Sequence, residues 1–192
     1  MKKLLVLVCA TATISLATGA AFADSIKGKL GATGRIGFII PSDGDINSNK
    51  NETDTGYIAG AGVIYGIDNN IAVEIDLTHS VFDSNYGDFS VTTVALGGQY
   101  RVALDQPELV PYLGAGLDLL FTEADQGLSV DTTLGAHVSA GIDYFITRQL
   151  ALTAEARIVV APETDISGQS GEKGNFDPTS FASTLGFRYF FN

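Results

Sequence analysis

From residue 29 onward the chain alternates, one position bulky and apolar and the next small or polar, in runs of roughly ten residues. A period of two marks strands, whose successive side chains point to opposite faces. Eight such runs are predicted. The first, about 29–40, sets Leu30, Ala32, Ile36, Phe38 and Ile40 against Thr33 and Arg35. The second, about 56–65, sets Tyr57, Ala59, Ala61, Val63 and Tyr65 against Gly60 and Gly62. In the third, about 71–81, Ile71, Val73, Ile75 and Leu77 alternate with Glu74, Asp76 and Thr78. The fourth, about 89–102, places Val94, Leu96, Tyr100 and Val102 opposite Ala95, Gln99 and Arg101. The fifth, about 112–121, opposes Leu113, Leu117, Leu119 and Phe121 to Gly114, Gly116 and Asp118. The sixth, about 133–145, opposes Leu134, Val138, Ile142 and Tyr144 to His137, Ser139 and Asp143. The seventh begins at Leu150 and opposes Leu152 and Ile158 to Thr153, Glu155 and Arg157. The eighth closes the chain with Leu185, Phe187, Tyr189 and Phe191 against Thr184, Gly186 and Arg188; Phe190 is the one aromatic on the polar face.

Short turns at 67–70, 103–109 and 146–149 alternate with longer stretches near 41–55, 83–88, 122–131 and 161–177, which are rich in Gly, Ser, Asn and Asp. Every predicted strand has one lipid-compatible face, and no stretch after the N-terminus is long enough for an apolar helical span. The pattern therefore implies an all-β fold, an eight-stranded antiparallel transmembrane β-barrel with its apolar face outward. A soluble β-sandwich shares the alternation but does not require an aromatic stripe at the chain's end. That stripe resembles the closing strand of Gram-negative outer-membrane barrels, whose pattern is polar-x-Gly-x-x-aromatic-x-aromatic. Thr184, Gly186, Tyr189 and Phe191 match it in register, and Asn192 follows the usual terminal aromatic. The resemblance implies that Gly186, Tyr189 and Phe191 form the assembly signal and that the barrel-assembly machinery is a partner.

The other end agrees. Lys2 and Lys3, the apolar run from Leu4 to Ala17, and the small-x-small pattern Ala21-Phe22-Ala23 form a secretory signal peptide over residues 1–23. The barrel domain is then 24–192, and both of its ends are periplasmic. The only cysteine, Cys9, lies inside the signal, so the mature chain has neither disulfides nor thiol chemistry. Hydrophobic residues make up 45% of the chain, a fraction that alternation spreads naturally over a barrel exterior. Loss of Lys2 and Lys3 leaves 9 basic against 22 acidic residues. Nucleic acid, which calls for a basic surface, is excluded as a partner.

The charges within strands fall on the polar face. Arg35, Arg101, Arg157 and Arg188 share it with Glu74, Asp76, Asp118, Asp143 and Glu155. An Arg facing lipid near the midplane costs about 2–4 kcal/mol, whereas the lumen lets opposite charges pair. These nine residues are the candidate lumen ion-pair network, read either as a plug filling a narrow interior or as a gate. The outer stretches are acidic, which implies a solvated surface facing lipopolysaccharide. Asp43-Gly44-Asp45-Ile46-Asn47-Ser48-Asn49 spaces oxygen ligands like a calcium loop, but it has Ser48 at the sixth position and Asp54 at the twelfth. It reads as a hydrophilic loop, and no metal or cofactor is expected.

His137, Ser139 and Glu155 supply the residue types of a nucleophile, base and orienter. Lipid A deacylases are eight-stranded barrels with His-x-Ser on one strand and Glu on the next, so a lipid A-modifying enzyme is a remote alternative. The register turns His137 and Ser139 into the lumen, away from lipid, and the chain reads as a non-enzyme. His79 is expected at the membrane interface.

Several segments together resemble the OmpW family: Val110-Pro111-Tyr112-Leu113-Gly114-Ala115-Gly116, Ala140-Gly141-Ile142-Asp143-Tyr144-Phe145, Asp177-Pro178 before the closing strand, and Val63-Ile64-Tyr65 with Ala72-Val73-Glu74. That family commonly has Trp after its Asp-Pro. Here Thr179 stands there and the chain has no Trp, so a pocket wall carried by that Trp does not transfer. The resemblance implies uptake of small hydrophobic molecules through a lumen that is apolar toward its outer side, with lateral release into the membrane. Phe89, Val91 and Leu120, on the inward series near the outer ends of their strands, form the candidate apolar vestibule. The expected function is a narrow, porin-like conduit or binding barrel for small hydrophobic solutes in the Gram-negative outer membrane. The alternative is a structural or adhesive OmpA-like or OmpX-like barrel whose acidic loops contact lipopolysaccharide or partners.

Overall fold

The computed structural model describes residues 26–42, 44–46, 49–51, 54–84, 87–124, 128–130, 132–162, 164–168, 173–176 and 178–191, with side chains described over 26–42, 54–82, 90–122, 132–162 and 178–191. The signal segment 1–23, and Asp43, Asn47 and Ser48 of the loop read against a calcium site, lie outside the described residues. Eight long strands are hydrogen-bonded in chain order: β1 (Leu30–Pro41), β2 (Gly56–Gly66), β3 (Ile71–Ser84), β4 (Gly87–Arg101), β5 (Leu109–Ala124), β6 (Thr133–Phe145), β7 (Leu150–Val160) and β8 (Ser180–Phe190). Each pairs antiparallel with its sequence neighbours. β8 returns to β1 in a continuous register from Gly31↔Phe190 to Pro41↔Ser180. Closure leaves these strands no free edge, the condition for a sheet to survive in lipid.

The alternation decides which side chains meet lipid. Ile36, Ile75, Leu96, Leu113, Leu134, Leu185 and Phe187 are exposed on the outer surface, while their strand neighbours Arg35, Glu74, Ala95, Tyr112, Thr133, Thr184 and Arg188 are buried in the lumen. Exposed aromatics gather at two levels, Phe38, Tyr57 and Phe121 toward the long connections and Tyr65, Tyr100, Tyr189 and Phe191 toward the short turns. Tyr57 and Tyr65 are separated by eight residues. At about 3.3 Å per residue and a strand tilt of about 40° this is a vertical distance of about 20 Å, close to the apolar band of an outer-membrane barrel.

One expected connection is different. The stretch 83–88 is not a long loop: β3 and β4 pair up to Asp83↔Asp88 and Ser84↔Gly87, leaving only 85–86 between them. Polar residues continue the backbone ladder above the membrane just as apolar ones do, since its bonds are between main chains. The other three outer connections carry five short strands, Gly44–Ile46, Asn49–Asn51, Leu128–Val130, Thr164–Gly168 and Lys173–Phe176. These pair with one another into a small antiparallel extension that joins β5 at Glu123↔Ser129.

The mouth beside the short turns is closed by Ile26, Ile64, Ala72, Phe145, Ala151 and Phe190, with Val110 packed against them. The Phe145 and Phe190 rings stack at 5.9 Å between centroids. Ile26 reaches this lid because residues 26–29 turn tightly, with Lys29 N donating to Ile26 O at 2.9 Å and Gly28 N donating to Gly66 O at 2.7 Å. Gly28 takes a φ of +73°, a left-handed conformation that glycine adopts without a Cβ penalty.

Candidate functional site

The lumen is filled in three layers: an apolar outer ring, a charged middle and the aromatic lid. Sheet alternation delivers every charged side chain of the middle layer from strands whose outward neighbours are apolar. Arg35 of β1 donates from Nη2 to Glu74 at 2.8 Å and Asp76 at 2.7 Å, and from Nη1 to Glu155 at 3.0 Å. Arg157 of β7 bridges Asp76 at 2.9 Å and Glu155 at 3.0 Å. Arg188 of β8 bonds Glu74 at 2.9 Å and Asp143 at 2.8 Å, and its Nε donates to Thr33 at 3.0 Å. Arg101 of β4 bonds Asp143 at 2.6 Å and Gln99 at 3.2 Å, and Gln99 in turn donates to Glu74. Asp118 stands apart, with His137 Nδ1 2.8 Å from its Oδ2.

Eight of the nine lumen residues singled out by alternation are joined in this mesh, and Asp118 pairs with His137 instead. Glu74, Asp76, Asp143 and Glu155 are each held by two arginines. In the water-poor interior such pairs offset the desolvation cost of their ions only when the remaining hydrogen bonds are also made, and this mesh supplies most of them.

Tyr112 is the important lumen residue that reasoning from charge alone passes over. Buried on β5, it donates from its hydroxyl to Glu155 at 3.0 Å. The Arg101 and Arg188 guanidinium carbons lie 5.7 and 5.5 Å from its ring centroid, within range of a cation–π attraction. Gly141 sits directly across from it on β6, where a Cβ would overlap the Tyr112 ring. The signal was available: Tyr112 has the parity of Gly114, Gly116 and Asp118, the inward series of its strand.

Above the charges, toward the long connections, Ile39, Ile58, Phe82, Val91, Leu120, Val159, Ala161 and Ala182 form one buried apolar cluster. Most of them wall a narrow hollow with a free volume of about 40 Å³ that has Arg35, Asp118, Glu155 and Arg157 among its lining residues. Val91 and Leu120 of the expected vestibule lie in this wall; the Phe89 side chain lies outside those described. Ile39, Ile58, Phe82, Val159 and Ala182 were not anticipated, although each continues the inward parity of its strand.

The residues of a hydrolytic triad are not brought together. His137 turns to Asp118, while Glu155 is occupied by Arg35, Arg157 and Tyr112. His79 is exposed on the outer surface with its Nδ1 3.0 Å from Thr92 Oγ1. Of the closing-strand residues, Gly186 pairs with Arg35 and Gly34 pairs with Phe187, while Tyr189 and Phe191 meet edge-to-face at 5.3 Å on the outside.

Residues 9–191 match the family described as outer membrane protein beta-barrel domain. No curated protein sequence matches the chain. Among solved structures the fold is similar to OprG from Pseudomonas aeruginosa, at a TM-score of 0.72 and 17% identity over 89% of this chain and 99% of that one. It is also similar to Neisserial surface protein A, at 0.64 and 17% over 84% and 97%. The E. coli outer membrane protein W follows at 0.54 and 18% over 86% and 98%. At these identities the likeness concerns the fold alone.

Proposed function

This chain belongs to the outer membrane protein β-barrel domain family and resides in the outer membrane of a Gram-negative bacterium; on that footing we propose that it takes small hydrophobic molecules into its outward vestibule. The observation that carries the proposal is the apolar ring of Ile39, Ile58, Phe82, Val91, Leu120 and Val159 standing open above a charged floor. A concave apolar wall with a few polar groups at its base is the general form of a small-molecule site. The axis below is blocked twice, by the ion pairs and by the Phe145–Phe190 lid, so a molecule held there leaves toward the bilayer and not straight into the periplasm. General porin activity does not suit a lumen filled in this way.

The test is uptake of a small hydrophobic dye by cells carrying wild-type or Leu120→Asp protein at equal folded amounts. Leu120→Asp puts a charge into the vestibule wall, and uptake is expected to fall to that of cells lacking the barrel. Unchanged uptake from a folded variant contradicts the proposal. The five short strands above the rim favour a second reading, in which this extension is a contact surface for partners or lipopolysaccharide. Deleting the Thr164–Phe176 hairpin should then abolish cell-surface contacts while leaving dye uptake intact.

A further inference from the structure

Three buried side-chain atoms lack a hydrogen-bond partner among the described residues: Arg35 Nε, Asp118 Oδ1 and Asp143 Oδ1. Only Arg35 and Asp118 line the vestibule, and they differ in kind. Arg35 already faces three carboxylates, so its charge is matched and its Nε needs no more than a neutral acceptor. Asp118 is the exception among the lumen acids. The other four are each bonded by two arginines, whereas Asp118 has His137 and no arginine. Four arginines stand against five carboxylates, and the one carboxylate that no arginine bonds is Asp118. This carboxylate shares the inward face of β5 with Leu120, two residues away, so it lies just beneath the apolar ring.

A buried carboxylate with an oxygen that no donor reaches is best satisfied by a charged donor, because charge-assisted hydrogen bonds are roughly twice as strong as neutral ones. Asp118 Oδ1 is enclosed, so the side chain must turn toward the hollow to meet one. Building on the vestibule reading above, we propose that the preferred occupant is a primary alkylamine. Its chain lies against Ile39, Ile58, Phe82, Val91, Leu120 and Val159, and its ammonium donates to Asp118 Oδ1. A carboxylate head group is disfavoured, since it meets Asp118 and Glu155 while the two arginines of the floor, Arg35 and Arg157, are each already shared between carboxylates. An alcohol is intermediate, able to donate one hydrogen bond without a charge.

The test uses the mature barrel refolded in zwitterionic lipid nanodiscs with labelled Ile, Leu and Val methyl groups. n-Octylammonium, 1-octanol and octanoate are titrated in turn, with concentrations corrected for partition into empty nanodiscs. Saturable shifts of the Ile39, Ile58, Val91 and Leu120 methyls report occupancy. Octylammonium should bind about tenfold more tightly than octanol, the scale of a charge-assisted hydrogen bond, with octanoate weakest. Asp118→Asn should remove that advantage and leave octanol within about twofold of its wild-type affinity, where one decade is the unit of discrimination. Equal binding of all three head groups, or an advantage that survives Asp118→Asn, overturns the head-group selection while leaving the vestibule reading in place. No saturable shift with any of the three overturns both. Should Asp118→Asn fail to fold, the wild-type order decides alone, and octanoate binding as tightly as octylammonium overturns the proposal.

Discussion

Arg35→Met is the most informative perturbation of the lumen, because it removes a charge of similar bulk from the centre of the mesh. Arg35 is buried and bonds Glu74, Asp76 and Glu155. Without it Glu74 keeps Arg188, whereas Asp76 and Glu155 must share Arg157, the most exposed of the four arginines. The lumen then has three cations facing five carboxylates. Removing one partner of a buried pair costs about 3–5 kcal/mol, and the surviving second bonds put this case near the lower end, at about 3 kcal/mol. Adding Glu155→Gln relieves one surplus charge and should recover about 1–2 kcal/mol, within the range of coupling between contacting residues. The assay is reversible urea unfolding of the barrel in lipid vesicles, followed by gel mobility, for wild type, both single variants and the double. An Arg35→Met variant within about 0.5 kcal/mol of wild type, the scale of an inconsequential substitution, refutes the mesh as a stabilising element. So does a double variant no more stable than Arg35→Met alone.

Two further outcomes follow from packing. Phe190→Ala removes one half of the stacked pair that closes the periplasmic mouth; it should destabilise the barrel by about 3–5 kcal/mol in the same unfolding assay and leave planar-bilayer recordings silent, because the ion-pair mesh above still blocks the axis. Gly141→Val drives a branched side chain into Tyr112 and should cost at least about 1–3 kcal/mol by overpacking. Tyr112→Phe in the same chain should not fully rescue it, because the overlaps with the ring carbon and with the Ala154 backbone oxygen remain when the hydroxyl is gone.

The barrel was legible because one rule, the period of two, governs lipid and lumen faces together. A charge at Arg35 or Asp76 fixes the parity of its whole strand, and every neighbouring apolar position follows. The rule loses its voice where both faces are apolar. Phe38-Ile39-Ile40 and Ile158-Val159-Val160 read locally as continuous apolar runs, and only parity counted from Arg35 and Arg157 turns Ile39 and Val159 inward to the vestibule wall. Phe190 looks like a break in the pattern, yet it obeys parity and points inward, where Phe145 from another strand receives it. Partners of that kind are set by the closure of β8 against β7 and β1, a long-range fact that no local window contains. The extension above the rim was illegible for a different reason. Segments of three to five residues such as Asn49–Asn51 and Lys173–Phe176 are too short and too polar for alternation to register, and their pairing depends on loops distant in sequence.

Photolabelling tests the vestibule most directly. The folded barrel in vesicles is exposed to a diazirine-bearing alkylamine, irradiated, and mapped residue by residue by mass spectrometry with and without excess n-octylamine. Occupancy of the vestibule predicts labels on Ile39, Ile58, Phe82, Val91 and Leu120 that the competitor removes, over a background on lipid-facing Leu96 and Leu117 that it leaves unchanged. Labels confined to the lipid-facing residues, with no competition anywhere, contradict it.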